Sequence, residues 1–358
     1  MTDFQLPLSL LAAVLAALLA AALIAATRPL LLRHALARPN ARSSHRIPTP
    51  QGAGIAVIAA TLIAAGIVIF FTAAPGAKIP FAVFGATLFI AVVGFADDIR
   101  SIAVLPRLLL QGLAVATVIF ATPDDLRIIP SCPLWIERAL VLLAGLWFVN
   151  LVNFMDGLDL MTAAEAVPIT AAVTLLGWLG DTPVSTTIVA AALCGAMLGF
   201  APFNRPVAKI FLGDVGSLPI GLLLGWCLLQ LAWQQQFAAA LLLPMYYLTD
   251  ATVTLLRRLV KREPFWAAHR THYYQRATDH GFSVWRVVGE VFALNLALAA
   301  LAIASTRMQQ AWLQAMLVAA GGILVALVMR RFSKRSRQIP GVSPDAGDPA
   351  PAEVPPPD

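Results

Sequence analysis

Long apolar stretches restrict this chain to a membrane fold. Each is close to the length of roughly 20 residues that an α-helix needs to cross a bilayer. With 59% hydrophobic and 12% charged residues, the chain of 358 residues is too apolar for an ordinary soluble enzyme. The sequence therefore predicts an all-α polytopic membrane protein with about 11 transmembrane helices. The predicted spans are 5–27, 52–72, 80–96, 102–121, 134–149, 163–179, 184–203, 218–233, 237–256, 284–304 and 311–329.

The basic residues predict the orientation of the chain. Connections rich in Lys and Arg resist translocation, so they mark the cytoplasmic side. With the N-terminus out and the C-terminus in, all but four of the 25 Lys and Arg residues fall in cytoplasmic segments. The net charge of +6 would suggest nucleic-acid binding in a soluble protein, but here the charge sets topology. We expect no nucleic-acid partner.

Composition also divides the chain. Residues 1–337 form the predicted membrane domain. Residues 338–358 are rich in Pro, Asp and Ala and have no apolar periodicity, which predicts a disordered cytoplasmic tail.

The predicted orientation places the polar connections on one side of the membrane. These connections contain residues 97–98, 150–159, 204–217 and 269–276, and all of them fall on the cytoplasmic side. The outside connections are short or carry few polar groups. Because ionisable groups near a bilayer are costly and are usually retained for function, we expect an active site on the cytoplasmic face.

The first of these groups is the adjacent pair Asp97 and Asp98 in FADDIRS. Neighbouring carboxylates repel each other, so a pair at a membrane edge suggests a bound cation, a shared proton or a phosphate-bound metal. The alternative is a solvated turn in which Arg100 neutralises one of the charges.

A second group lies in NLVNFMDGLDLM, residues 150–161. Asn150 and Asn153 are three residues apart and can share a helix face. Gly157 is expected to break the helix, so Asp156 and Asp159 need not point the same way. The run is also compatible with an ordinary Asn/Asp/Gly turn, but its place between two spans favours a functional patch.

Two further connections carry phosphate-binding residue types. In 204–217, Asp214 between Gly213 and Gly216 resembles a loop whose backbone N–H groups approach phosphate, with Lys209 as a nearby cation; Gly-rich turns between helices are also common. In 269–276, arginines around two histidines favour phosphate over a transition metal, although a plain basic loop is the alternative. Asp250, inside the ninth predicted span, is either a core residue or a site member.

Five motifs together resemble the bacterial polyprenyl-phosphate N-acetylhexosamine-1-phosphate transferases, which form glycosyltransferase family 4. The resemblance runs over nearly all of residues 28–330, and the pattern looks closer to enzymes that initiate O-antigen or other surface polysaccharides than to the phospho-MurNAc-pentapeptide transferase. The motifs are PNARSSHRIPTPQGAG, GFADD, NFMDGLDL, KIFLGDVGS and AHRTHYYQR.

The resemblance implies a multi-pass protein of the bacterial inner (cytoplasmic) membrane. It implies transfer of N-acetylhexosamine 1-phosphate, plausibly from UDP-GlcNAc, to undecaprenyl phosphate, with release of UMP, for lipopolysaccharide or cell-wall synthesis. The donor could instead carry GalNAc, QuiNAc or FucNAc. The implied cofactor is Mg²⁺, with Mn²⁺ as a substitute, and a homodimer is compatible with the pattern.

The resemblance also implies residue roles. The aspartate matching Asp214 holds the metal, residues 150–159 contact the uridine nucleotide, and the His/Arg motif binds the diphosphate. We predict that Asp97 deprotonates or orients the lipid phosphate and that Asp98 supports the metal or the base. The predicted catalytic residues are Asp97, Asp98, Asp156 and Asp214, with Asp214, Asp98 and Asp156 as metal ligands. The predicted substrate-binding residues are Asn150, Asn153, Asp159, Asn204, Lys209, His269, Arg270, His272, Arg276, Ser44 and His45.

The sequence departs from the family pattern at four positions. Ala37 stands where aspartate is common, Gln51 where arginine is common, Ala53 interrupts a glycine triplet, and Leu160 replaces the second glycine of a usual DGxDG. These changes affect the first loop and one turn but remove no predicted catalytic carboxylate. A secondary transporter and a catalytically inactive lipid-binding relative remain as alternative functions, the first disfavoured because the polar groups gather at one face.

Overall fold

The structure, a computed structural model, describes residues 2–34, 36–37, 49–72, 78–263 and 269–334. Ser44, His45 and the predicted tail at 338–358 lie outside these ranges. Within them the chain is almost entirely helical, because a backbone in a bilayer must satisfy its own hydrogen bonds and a helix does so locally. The helices are α1 (Thr2–His34), α2 (Ala53–Thr72), α3 (Phe81–Ile99), α4 (Val104–Phe120), α5 (Leu134–Met155), α6 (Met161–Trp178), α7 (Val184–Phe200), α8 (Asp214–Trp233), α9 (Phe237–Leu242), α10 (Met245–Val260), α11 (Tyr273–Asp279), α12 (Val284–Thr306) and α13 (Ala311–Phe332).

Short elements join some of these helices. The strands β1 (Leu36–Ala37) and β2 (Thr49–Pro50) pair antiparallel, and a 3₁₀ helix, Ala201–Phe203, follows α7. Next to β2, Gln51 pairs with Phe211. This pairing brings the end of the first long loop to the segment that precedes α8.

The prediction of an all-α polytopic membrane protein is confirmed. In the described ranges, nine helices are long and apolar enough to cross a membrane, and α4 is a shorter apolar helix. The predicted span 237–256 is divided into α9 and α10 by Leu243 and Pro244, because proline cannot donate the backbone hydrogen bond that a continuous helix needs. The orientation and the full count of spans stay predictions.

Several helix ends differ from the prediction in a way that concerns the polar residues. α3 continues through Asp97 and Asp98, α5 continues through Asn150 and Asn153, and α8 already begins at Asp214. The hydropathy pattern ends where polar side chains begin, whereas the helical backbone continues because those side chains find partners beside the helix. The polar groups therefore lie on rigid helix ends.

The helices α6 and α8 are the most buried of the candidate spans, whereas α13 is the least buried. α3 packs closely on the start of α8 at Gly94, where an added Cβ would lie 2.3 Å from the carbonyl oxygen of Asp214. A side chain at this position would displace one of the two helices. The absence of a side chain at Gly94 thus allows Asp97 and Asp98 to approach Asp214.

We expect Gly94→Ala to lower stability by about 1–3 kcal/mol, the usual cost of overpacking a close contact. Gly85→Ala on the same helix is the control, because no atom lies within 4 Å of its added Cβ. Thermal unfolding of the detergent-solubilised protein measures both. Equal melting temperatures for the two variants would contradict this account of the contact.

Candidate active site

Asp98 fastens the end of α3 to the start of α8. Its Oδ1 accepts the backbone N–H of Asp214 at 2.9 Å, and its Oδ2 accepts that of Val215 at 3.0 Å. The first N–H groups of a helix have no partner within the helix, and they carry partial positive charge. The amide of Gln51 also donates to Asp98 Oδ1. Asp98 therefore stabilises the start of α8 and fixes the position of Asp214.

Gly213 is required by this arrangement. Its φ of 78° lies in the left-handed region, which side chains disfavour. An added Cβ would in addition lie 2.6 Å from Asp98 Oδ2. The glycine before Asp214 thus serves the contact between Asp98 and α8, in addition to the phosphate approach that the sequence suggested.

Asp214 is held at the centre of the cluster. Its Oδ1 accepts a hydrogen bond of 2.8 Å from the Asn153 amide, and the same amide donates to Ser217 Oγ at 2.9 Å. The carboxyl groups of Asp97 and Asp214 lie within hydrogen-bonding reach of each other. Two facing carboxyl groups need a shared proton or a cation between them. This is one of the alternatives that the sequence left open for the aspartate pair.

Asp97 has a cationic partner that the sequence analysis missed. Arg107, on α4, donates through Nη1 to Asp97 Oδ2 at 2.8 Å. The backbone N–H of Ile102 donates to Asp97 Oδ1 at 2.6 Å. Arg107 is one of the basic residues from which the orientation of the chain is predicted. Arg107 lies near the start of α4, and only a short connection separates α4 from α3. This closeness in sequence is a signal that could have paired Arg107 with Asp97.

Asp156 follows the last turn of α5, between two spans. The hydroxyl of Thr162 donates to its Oδ1. Burial, together with the charges of Asp98 and Asp159, raises the pKa of Asp156 to about 6, although the Thr162 hydrogen bond opposes the shift. A nearby bound cation would favour the ionised form instead. Asp156 thus combines a raised proton affinity with closeness to the other carboxylates, as site residues often do.

Asp159 and Asn204 hold two connections together. Asp159 Oδ2 accepts the backbone N–H of Ala208 at 3.0 Å. Asn204 accepts the backbone N–H of Leu160 at 2.7 Å and donates to the carbonyl of Ile210 at 2.9 Å. Both side chains are buried. They act here as links between the turn after α5 and the segment before α8.

The backbone conformation at position 160 explains why glycine is usual there in the family. Leu160 has a φ of 62°, in the left-handed region where glycine is favoured. The turn keeps that conformation without glycine, because Asn204 binds its N–H. This departure therefore leaves the turn and its carboxylates in place.

Two of the predicted substrate-binding residues have other surroundings: Asn150 joins two helices, and Lys209 is exposed. The Asn150 amide donates to Gln111 Oε1 at 2.7 Å and to the carbonyl of Leu146 at 2.8 Å, which joins α5 to α4. Lys209 is exposed on the segment before α8. Neither geometry brings the side chain to the four carboxylates, so their predicted contacts with substrate stay predictions.

The His/Arg motif packs against the turn that carries Asp156. The rings of His269 and His272 stack at 4.9 Å between centroids, and those of His272 and Tyr274 at 5.8 Å. Tyr274 Oη donates to the carbonyl of Phe154 at 3.1 Å. The motif and the turn of Asp156, which are more than 100 residues apart in sequence, therefore meet in space, as a composite site requires.

Whether Mg²⁺ could bind here depends on the oxygen ligands that the aspartate cluster offers. In the described ranges, no three His, Cys, Asp or Glu side chains are grouped as a protein-enclosed metal site. Mg²⁺ does not need such a group, since it commonly takes one or two carboxylates and completes its shell with water and substrate phosphate. The facing oxygens of Asp97 and Asp214 fit this coordination. Asp98 fits it less well, because its oxygens already accept three hydrogen bonds.

Together, the fold and this cluster define a multi-pass membrane protein whose carboxylates and cationic groups gather at helix ends. Residues 80–232, from α3 to α8, match the model of glycosyl transferase family 4. This region includes all four predicted catalytic aspartates. Over this region the chain is similar to glycosyl transferase family 4.

Individual relatives agree with this family. The chain is 28% identical over 235 residues to a phospho-N-acetylmuramoyl-pentapeptide-transferase of Bacillus licheniformis, which covers 59% of this chain and 70% of the relative. It is 25% identical over 280 residues to a probable undecaprenyl-phosphate N-acetylglucosaminyl 1-phosphate transferase of Bacillus subtilis. This match covers 73% of this chain and 76% of the relative. A phospho-N-acetylmuramoyl-pentapeptide-transferase of Shouchella clausii is 32% identical over 152 residues, and this match covers 38% of this chain and 46% of the relative.

We expect Gly213→Ala to lower stability by more than the roughly 1–2 kcal/mol that a left-handed backbone costs an L-residue. The additional loss comes from the clash with Asp98. Gly180→Ala is the matched control, since Gly180 has a φ of 89° and open space around its added Cβ. Thermal unfolding in detergent compares them; an equal loss in both variants would show that the contact with Asp98 adds nothing.

Proposed function

We propose that this chain transfers an N-acetylhexosamine 1-phosphate from a UDP-sugar to undecaprenyl phosphate at the bacterial inner membrane. An oxygen of the lipid phosphate attacks the phosphorus attached to the sugar, and the bridging P–O bond to the nucleotide breaks. UMP leaves, and a lipid-linked pyrophosphoryl sugar forms. The observation that carries this proposal is the cluster of Asp97, Asp98, Asp156 and Asp214 packed beside the His/Arg motif.

The charges of the cluster suit a reaction between two anions. Arg270 and Arg276 belong to the motif that packs on the turn of Asp156, and with His269 they are the groups that would bind the diphosphate of the donor. Phosphoryl transfer depends mainly on positioning and on charge stabilisation. Rigid helix ends that carry the carboxylates provide the positioning.

The carboxylates divide the work between them. Asp97, paired with Arg107, orients the lipid phosphate or accepts its proton. Asp214 and Asp97 would hold Mg²⁺, which supplies charge neutralisation on the phosphate oxygens when bound. Asp98 keeps Asp214 in position through the backbone of α8. Asp156 adds a further carboxylate at the edge of the same cluster.

An apolar cavity supports the lipid substrate. It has a volume of about 370 Å³ and lies between α4, α5, α8 and α9. Its lining includes Val115, Phe148 and Trp226. Val115 follows Arg107 by eight residues on α4, about 12 Å along the helix. A polyprenyl chain in this cavity would leave its phosphate near Arg107 and Asp97.

UDP-GlcNAc is our first choice of donor. The Bacillus subtilis relative, whose match covers the larger share of both chains, has an N-acetylglucosaminyl 1-phosphate transferase name. UDP-GalNAc and UDP-linked QuiNAc or FucNAc are the alternatives for the same chemistry.

The direct test is a screen of these UDP-sugars with the purified protein in detergent. We expect UMP release only with undecaprenyl phosphate and Mg²⁺ both present, and Mn²⁺ to substitute in part. Product is measured as a lipid-linked pyrophosphoryl sugar by mass spectrometry. Uptake of unchanged substrate into vesicles, without UMP release for any donor, would support a transporter and reject this function.

Asp214→Asn tests the central carboxylate. We expect turnover to fall at least about 100-fold, because loss of one charge-stabilising group typically costs that much. Asp124→Asn is the control; Asp124 lies on the connection between α4 and α5, where it pairs with Arg138. Wild-type turnover in Asp214→Asn would remove Asp214 from the mechanism.

Arg107→Gln tests the ion pair with Asp97. Without the guanidinium, the anionic lipid phosphate meets uncompensated carboxylates, so we expect a fall in turnover of about tenfold or more, equivalent to about 1.4 kcal/mol. Arg100→Gln is the matched control, because Arg100 is an exposed residue between α3 and α4. If both variants lose activity equally, general surface charge and not the Asp97 pair would explain the effect.

A further inference from the structure

Asp250 is a fully buried carboxylate that the mechanism above does not use. It lies on α10 and is 0% exposed. Within its own helix, it accepts hydrogen bonds from Tyr246 Oη at 3.1 Å and Thr254 Oγ1 at 3.2 Å. It also accepts the backbone N–H groups of Tyr273 at 3.0 Å and Tyr274 at 3.3 Å. A buried charge with this many donors is retained for a specific arrangement, since an unpaired one would be costly.

The contacts to Tyr273 and Tyr274 join two distant segments. These backbone N–H groups belong to the first turn of α11, where the helix itself offers no acceptor. Asp250 supplies the acceptor from α10, 23 and 24 residues earlier in the chain. The start of α11, and with it the His/Arg motif, is thereby fixed to α10.

His272 lies beside the same connection. Its Nδ1 lies 3.4 Å from Asp250 Oδ1, and the side chain is only 2% exposed. The ring is stacked between His269 and Tyr274. In this position, His272 supports the motif from inside, while His269 and Arg270 are more accessible.

The opposite side of the motif contacts the turn of Asp156. Tyr274 Oη donates to the carbonyl of Phe154. At Gly157 an added Cβ would lie 2.3 Å from Tyr274 Oη and 2.9 Å from Gln275 Nε2, so the two segments are in close contact. The chain of contacts therefore runs from Asp250 through the backbone of Tyr274 to the residues on either side of Asp156.

Tyr273 orients the cationic end of the motif. The guanidinium of Arg257, on α10, lies 4.9 Å from the centre of its ring, and that of Arg276 lies 5.9 Å away. Cations at such distances are attracted to the ring face. Because Asp250 holds the backbone of Tyr273, it also sets the position of Arg276.

We propose that Asp250 is a positioning residue that holds the His/Arg motif, residues 269–276, against the Asp156 turn so that the motif can bind the diphosphate of the nucleotide sugar. The proposal rests on the proposed function for its substrate. Asp250 itself touches no substrate, because its carboxylate is enclosed by Tyr246, Thr254 and the start of α11. The sequence left open whether Asp250 is a core residue or a site member. On this proposal, Asp250 is a core residue that positions the site.

Asp250→Asn tests the proposal with little change of volume. The new amide presents N–H₂ toward backbone N–H groups, so at least one of the two contacts to α11 is lost. We expect kcat/KM for the UDP-sugar to fall at least tenfold, while KM for undecaprenyl phosphate stays within twofold. A merely structural role would lower the active fraction and leave both KM values unchanged.

Thr254→Val is the matched control. It removes a donor to the same carboxylate from within α10 and leaves both backbone contacts to α11 in place. We expect the kinetic constants of this variant to stay within twofold of wild type. Equal losses in Thr254→Val and Asp250→Asn would overturn the proposal, because the contacts to α11 would then be irrelevant.

A second variant keeps the proposal testable if Asp250→Asn fails to fold. Tyr274→Phe removes only the hydroxyl that reaches Phe154, at the other end of the contact chain. We expect KM for the UDP-sugar to rise about threefold or more, without a change in KM for the lipid. Wild-type constants in this variant would count against the proposal.

Hydrogen exchange separates this proposal from the proposed function. In wild type we expect slow exchange of the Tyr273 and Tyr274 amides, and in Asp250→Asn an increase of at least tenfold, with no change in Thr254→Val. This outcome supports positioning even if no UDP-sugar yields UMP, in which case only the proposed function fails. Unchanged exchange in Asp250→Asn overturns the proposal whether or not the enzyme is active.

Discussion

The site depends on one requirement, that the first backbone N–H groups of a helix at a membrane edge must find acceptors. Two helices of this chain receive them from carboxylates on other helices. Asp98, at the end of α3, accepts N–H groups at the start of α8, and Asp250, on α10, accepts those at the start of α11. Each carboxylate satisfies the helix and gains the favourable field of its N-terminal end. The same bonds set the distance between the segments that carry the chemistry.

The same requirement explains why several aspartates gather in one place, since some of them hold segments of the chain together. Asp98 and Asp159 accept backbone N–H groups at well-formed distances, so their charge is compensated by the fold. Asp97 and Asp214 are different, because their carboxyl groups lie within hydrogen-bonding reach of each other. Asp97 is paired with Arg107 and accepts the N–H of Ile102, and Asp214 accepts a hydrogen bond from Asn153. These two facing carboxyl groups are therefore the part of the cluster best suited to a cation and phosphate.

Much of the fold followed from the sequence, and a smaller part of the site did. Hydropathy and length predicted the membrane helices, because both depend on local composition, whereas the break at Pro244 and the continuation of α3 through Asp97 and of α5 through Asn153 depend on tertiary partners. The motifs identified the aspartates and the His/Arg segment. They did not identify Arg107 or Gln51 as partners of Asp97 and Asp98, because such pairs join residues across connections whose geometry no local pattern fixes. Asp250 remained ambiguous for the same reason.

Gln51 and Leu160 show how the chain departs from its family pattern without losing the arrangement. An arginine at position 51 would bring a full charge to Asp98, whereas the glutamine amide brings a neutral donor and leaves the backbone N–H groups of α8 as the main partners. At position 160 the left-handed backbone is kept although glycine is absent, and Asn204 binds its N–H. In both places a family feature is replaced while the hydrogen bonds around the carboxylates persist. The positions of the carboxylates are therefore set by contacts between segments, and the family motifs mark where those contacts begin.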